Sequence, residues 1–276
     1  MKYRFNYHYG SKDGEPILSL NDWQEAFIRH DSKGLEHWKS GRSAQSLAED
    51  FMNESGEIMI FQIIEQLTAK KIHNSPIDAV IEYGSTFDNF KRPRIQDLAI
   101  TGKLGEDDDN NTSFFVGVEA KVDEPFSSKT LKQQETYIKA LKEKGKSTNA
   151  GERLKLLKND FLCDIRSNEE LNKVRYQLLY YLAGSFRANA QIIFMPIIVY
   201  KTKGLSQRPK LYNDKKGKNN KKDYEQFVSA LGFEQVIGVH IDGVEECEVH
   251  TKTVKAPSID REIIQEKKIY SCYIVK

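Results

Sequence analysis

The 276-residue sequence predicts an α/β fold, a mixed central β-sheet flanked by helices, and three observations carry that expectation. Residues 191–200 are almost wholly apolar (Ile192, Ile193, Phe194, Met195, Ile197, Ile198 and Val199), as in a strand covered on both faces. Two further strand-like segments, 95–100 and 114–122, flank a stretch rich in Gly, Asp and Asn at 102–113, which reads as the turn of an antiparallel hairpin. Segments with apolar residues at helical spacing precede and follow these strands, the order expected of a sheet layered with helices.

In chain order, Asp22 is placed to cap a helix through His30. Ser43 is placed to cap another through Met52, in which Ala44, Leu47, Ala48 and Phe51 recur on one face. A third helix follows Ser55, with Ile58, Phe61, Ile64 and Leu67 as its apolar stripe. Residues 79–83 then read as a strand ahead of the hairpin. Helices are predicted at 130–144, 152–164 and 169–188. After the apolar strand come a basic loop, a helix at 223–231 and strands at 236–241 and 268–275. The expectation is one domain over 1–276, with 1–52 a helical N-terminal extension and 53–276 the α/β core.

Composition narrows the function. Hydrophobic residues make up 39% and charged residues 30%, which suits a packed core under a polar surface and argues against a disordered or membrane chain. The longest apolar run is far shorter than the ~20 residues of a spanning helix, and the first residues carry no hydrophobic signal region. Cys163, Cys247 and Cys272 are odd in number, far apart and without a CxxC pair, so a reducing cytoplasm is the expected setting. The six histidines lack ligand spacing, and no phosphate-cradling glycine loop or serine elbow is present. Net charge is only +2, yet nine of the 22 residues at 201–222 are Lys or Arg against one acid, Asp214. Such a run is ordinary as a solvated loop; its functional reading is an arm that contacts phosphates. The acids Glu106, Asp107, Asp108 and Asp109 sit where a solvated turn is expected.

The chemistry concentrates on the hairpin. Side chains alternate along a strand, so Glu119 and Lys121 project from one face while Val118, Ala120 and Val122 enter the core. Asp97, on the neighbouring strand, can meet them across the pair. Two carboxylates beside an ammonium suit phosphodiester hydrolysis: Asp97 and Glu119 as hard oxygen ligands of Mg²⁺ or Mn²⁺, with the Ala120 carbonyl as a third. Lys121 would serve the attacking water and offset transition-state charge. Glu-x-Lys on a half-exposed strand is also a common solvated pattern, but charges within so apolar a run need a partner or a task. Glu82, on the strand before the hairpin, could face the same site.

Asp97 followed after a hairpin by Glu119-Ala120-Lys121 resembles the PD-(D/E)XK restriction-endonuclease-like superfamily, and the order of helices and strands fits that core. Trp38-Lys39-x-Gly41-Arg42-Ser43-Ala44, Gln96-Asp97-Leu98, Val118-Glu119-Ala120-Lys121-Val122-x-Glu124-Pro125-Phe126 and Arg175-Tyr176-Gln177-Leu178-Leu179 together resemble an uncharacterised bacterial family assigned to it. Gln96 stands where the superfamily name has proline. The resemblance implies the fold and a metal site, and adds two residues. Glu57 lies in a first helical turn where members often place a further acidic ligand, although the helix dipole alone favours an acid there. Gln177 lies on a helix where members often place a glutamine that touches the site. The expected function is a metal-dependent nuclease acting on DNA more than RNA, with Lys129, Lys132 and Lys139 adding phosphate contacts. The alternative is a catalytically inactive nucleic-acid-binding protein of the same fold. Members that cut both strands often dimerise, which leaves a homodimer open.

Overall fold

The computed structural model describes residues 4–7, 16–30, 34–73, 77–90, 93–105, 112–122, 124–126, 129–146, 148–162, 168–201 and 214–276. Its elements are β1 (Arg4–Tyr7), β2 (Pro16–Ile17), α1 (Leu20–His30), α2 (Gly34–His37), α3 (Ser43–Met52), α4 (Ser55–Thr68), β3 (Asp78–Ser85), β4 (Arg94–Leu104) and β5 (Thr112–Lys121). There follow α5 (Leu131–Glu143), α6 (Ala150–Phe161), α7 (Asn168–Leu171), α8 (Tyr176–Phe186), β6 (Ile192–Val199), α9 (Asp214–Ala230), β7 (Glu234–Val236), β8 (Glu246–Pro257) and β9 (Ile264–Val275).

The strands make one mixed sheet in the order β2-β1-β3-β4-β5-β6-β9-β8-β7. β4 pairs antiparallel with β3 and β5, whereas β6 runs parallel to β5 and β9. The predicted α/β architecture is therefore present, and β6 is a central strand. Its side chains alternate as a two-faced strand requires. Ile193, Met195, Ile197 and Val199 join a core shared with α5, α6, α8 and α9. Phe194 and Ile198 join the opposite core, shared with α1, α3 and α4.

Pro196 has no amide proton, so within β6 it leaves a neighbour's carbonyl without its ladder donor. The register pairs Val116 with Phe194 and Glu119 with Ile197, and between them the β5–β6 ladder is interrupted. Tyr181 from α8 fills the gap: its hydroxyl donates to the Gly117 carbonyl and lies 3.1 Å from the Pro196 carbonyl. Close approach of α8 depends on Gly184, where a Cβ would come within 2.5 Å of Ser85 Oγ and 3.0 Å of Arg94.

Several local expectations are corrected. The N-terminal part is not a purely helical extension, because β1 and β2 lie at an edge of the sheet and β1 pairs with β3. Trp23, Phe27, Leu47 and Phe51 of α1 and α3 are buried in the same core as β3 and β5. Helix α1 begins at Leu20, and Ser19, rather than Asp22, stands at its start: Ser19 Oγ accepts from the Asp22 amide and donates to the Asp22 carboxylate. The single helix expected at 169–188 is two, because Arg175 is extended and pairs with Thr130. The strand expected at 236–241 is not present: only Val236 is extended, at the end of β7, and the strand that follows is β8 at Glu246–Pro257. Residues 106–109, 202–213 and Cys163 lie outside the described residues. The described end of the basic run is helical, within α9, and Lys221 there pairs with Glu246.

Candidate metal centre

The site forms where β4 parts from its neighbours. The β4–β5 ladder ends at Leu98–Val118, and the β3–β4 ladder passes over Asp97 and Glu82, the latter held at φ 49. A left-handed φ is uncommon outside glycine and marks local strain at this irregularity. In place of a ladder bond, Asp97 Oδ2 accepts from the Ala120 amide at 2.7 Å. That bond fixes Asp97 beside the end of β5, where Glu119 and Lys121 are both buried at 3% and 7% exposure.

Glu119 is the hub. Its Oε1 accepts from Lys121 Nζ at 2.8 Å and from Gln177 Nε2 at 2.5 Å. Its Oε2 accepts from Arg94 Nη2. Burial alone would raise the Glu119 pKa, but Arg94 and Lys121 outweigh it and hold the carboxyl below its ordinary value. Asp97 behaves oppositely: burial and then the Glu119 charge push it up to about 7, against the pull of Lys121. Burial works to lower the Lys121 ammonium, yet Glu119 and Asp97 win and leave it above its ordinary value. Lys121 is therefore charged at neutral pH, a donor and not a base.

Asp97 also borders a cleft of about 520 Å³, between the sheet and the N-terminal helices, that Trp23, His37, Arg42, Glu82 and Glu124 help to line. Glu82 thus shares the cleft with Asp97. Glu57 does not border it; buried on α4, it is raised to about 8 by burial and by Glu54, and no described contact joins it to Asp97 or Glu119. Ala120 lies at the centre through its amide. Lys132 and Lys139 are exposed on α5, and Lys129 lies 4.6 Å from the Tyr137 ring. Among the described residues, no group of three or more His, Cys, Asp or Glu side chains stands ready to hold a metal ion. The donor set nevertheless suits a hard divalent cation: two carboxylates from adjacent strands, one of them pushed up to about 7 by burial and by the charge of the other.

Arg94 escaped the sequence pattern. It follows Pro93 at the start of a strand and pairs with a residue 25 positions on, so no local periodicity marks it. The one available signal is its place three residues before Asp97 on the same strand.

A family model described as a domain of unknown function, DUF6946, matches residues 16–258, so the chain belongs to that family. No curated protein and no solved structure matches it.

Proposed function

We propose that this member of the DUF6946 family is a metal-dependent phosphodiesterase, a nuclease acting on DNA more than RNA in the cytoplasm, with Asp97, Glu119 and Lys121 at its centre. The observation that carries the reading is the meeting of two carboxylates and an ammonium at one end of β5: Asp97 is held on the Ala120 amide beside the cleft, and the buried Glu119 carries Lys121, with Asp97 pushed up and Glu119 held down. Pairs of acids pushed apart in this way favour functional sites. Asp97 and Glu119 would hold Mg²⁺ or Mn²⁺, with the Ala120 carbonyl as a further donor. The bound ion would polarise the phosphoryl group and acidify a water. Lys121, fixed on Glu119, offsets the charge that builds on the phosphoryl oxygens and orients the attacking water. Gln177 fixes the Glu119 rotamer from the other side. Glu82 and Glu124 border the approach from the cleft.

A second reading has its own support. Glu119 is engaged at both oxygens by Arg94, Lys121 and Gln177, the pattern of a closed structural network, which favours a catalytically inactive nucleic-acid-binding protein. The full chain incubated with plasmid, single-stranded DNA and RNA, with and without Mg²⁺ or Mn²⁺, separates the two. Metal-dependent cleavage lost in both Asp97→Ala and Lys121→Ala is the expected result. Salt-sensitive binding with no cleavage of any of the three substrates would select the second reading.

A further inference from the structure

Arginine–carboxylate pairs in this protein are made in two ways. Arg153 grips Asp88 with a fork, Nε to Oδ2 at 2.6 Å and Nη2 to Oδ1 at 3.0 Å. That two-bonded geometry gives both strength and a fixed orientation. Arg94 meets Glu119 through Nη2 alone, and its buried Nε has no hydrogen-bond partner. Its guanidinium lies 5.8 Å from the Tyr181 ring centroid, a contact that constrains position less than a second hydrogen bond would. Leaving a buried donor unmatched is costly, because its bond to water is lost and not replaced.

The other Glu119 oxygen is differently held. Lys121 sits on the same strand two residues away, and Gln177 is uncharged, so neither competes at Oε2. Among the described residues Arg94 alone occupies Oε2, the Glu119 oxygen that Lys121 and Gln177 leave open. It does so as a cation itself, from a side chain only 12% exposed.

We propose that Arg94 is an exchangeable counter-cation: it holds Glu119 Oε2 in the metal-free protein and is released when a divalent cation binds Asp97 and Glu119. The inference rests on the metal-site reading. It makes Arg94 a positioning residue that keeps Glu119 ionised and in place before loading. Once released, the guanidinium has all its donors for a phosphate ester next to the ion, where a planar fork is well matched.

The test is Mn²⁺ binding to the full chain, followed by calorimetry, for the wild type, Arg94→Met and Arg94→Lys. Without the competing cation, Arg94→Met binds Mn²⁺ on the order of tenfold more tightly than the wild type, and Arg94→Lys falls between. In the wild type, the Arg94 Nε–H resonance (identified by its loss in Arg94→Lys) shifts during a Mg²⁺ titration, with a midpoint equal to the Mg²⁺ dissociation constant from calorimetry. A purely structural arginine would show neither effect. Equal affinity in all three proteins, or an unmoved Nε–H signal while the ion binds, overturns the role of Arg94 and leaves the metal site standing. Absence of Mn²⁺ binding in three folded proteins overturns both. Should Arg94→Met fail to fold, the wild-type titration alone decides.

Discussion

Asp160 and Glu119 stand in similar company. Both are buried, at 5% and 3% exposure, and both lie between two cations: Arg187 and Arg261 around Asp160, Arg94 and Lys121 around Glu119. The surroundings differ. Asp160 ties the end of α6 to the residue after α8 and to the turn before β9, and its partners bring no second acid. Glu119 adds a glutamine from α8, a second carboxylate within electrostatic reach and a cleft next to that carboxylate. A buried ion pair therefore does not by itself announce chemistry. What separates the two clusters is the second carboxylate, Asp97, brought up beside the first, which a structural clamp has no reason to carry.

The sharpest way to break this comparison is to neutralise each hub in turn. Glu119→Gln is expected to lower metal-dependent cleavage by roughly a thousandfold or more, as loss of a metal ligand and of the charge that seats Lys121 would. Initial rates on a labelled duplex read it out; activity within tenfold of wild type would place Glu119 with Asp160 as a clamp. Asp160→Ala should do the reverse, costing about 3 kcal/mol in urea denaturation because Arg187 is left buried without its acid, with the cleavage rate unchanged per folded molecule.

Asp97→Asn sharpens the contrast through pH. The Asp97 carboxyl titrates at about 7 in the folded chain and at 3.8 ordinarily, so between those values the folded state holds a proton that the unfolded state lacks. Its contribution to stability is complete below pH 3.8 and is lost as pH rises through 7. Removing the charge should therefore leave stability unchanged near pH 3 and raise it increasingly toward pH 8, measured by denaturant melts without metal. A gain that does not grow with pH would show that burial and Glu119 do not raise the Asp97 carboxyl.

The smallest effect is expected at Tyr181. Tyr181→Phe removes the hydroxyl that donates to Gly117 and should cost about 1 kcal/mol, close to the value for one buried hydrogen bond. Gly117 lies two residues before Glu119, which makes the cleavage rate a second readout.

Strand β6 and the β4–β5 hairpin were legible because their patterns are local: an unbroken apolar run, and alternation on either side of a polar turn. So was the convergence of Asp97, Glu119 and Lys121, which follows from strand period alone. Pro196 speaks against a central strand, and the Tyr181 hydroxyl, from a helix 15 residues earlier, supplies a donor to Gly117 on the neighbouring strand in its place. Strands β1 and β2 span four and two residues, too short for any period; they exist because β3 offers an edge. The interruption between α7 and α8 is invisible in 169–188 because apolar residues continue through it, and its cause lies in the backbone of Thr130. Arg94 was hidden for the same reason, since its meaning resides in a partner on another strand.

That interruption ties distant parts of the chain in series. The Leu131 amide donates to Val174 at 2.9 Å and the Tyr176 amide to Lys129 at 3.1 Å, so the first turns of α5 and α8 are stitched together immediately before Gln177. Lys132 and Lys139 ride on the first of these helices, and Gln177 presses on Glu119 from the second. The helix that carries the lysines and the acid are thus joined through two backbone bonds and one side chain, with the junction at Thr130 and Arg175.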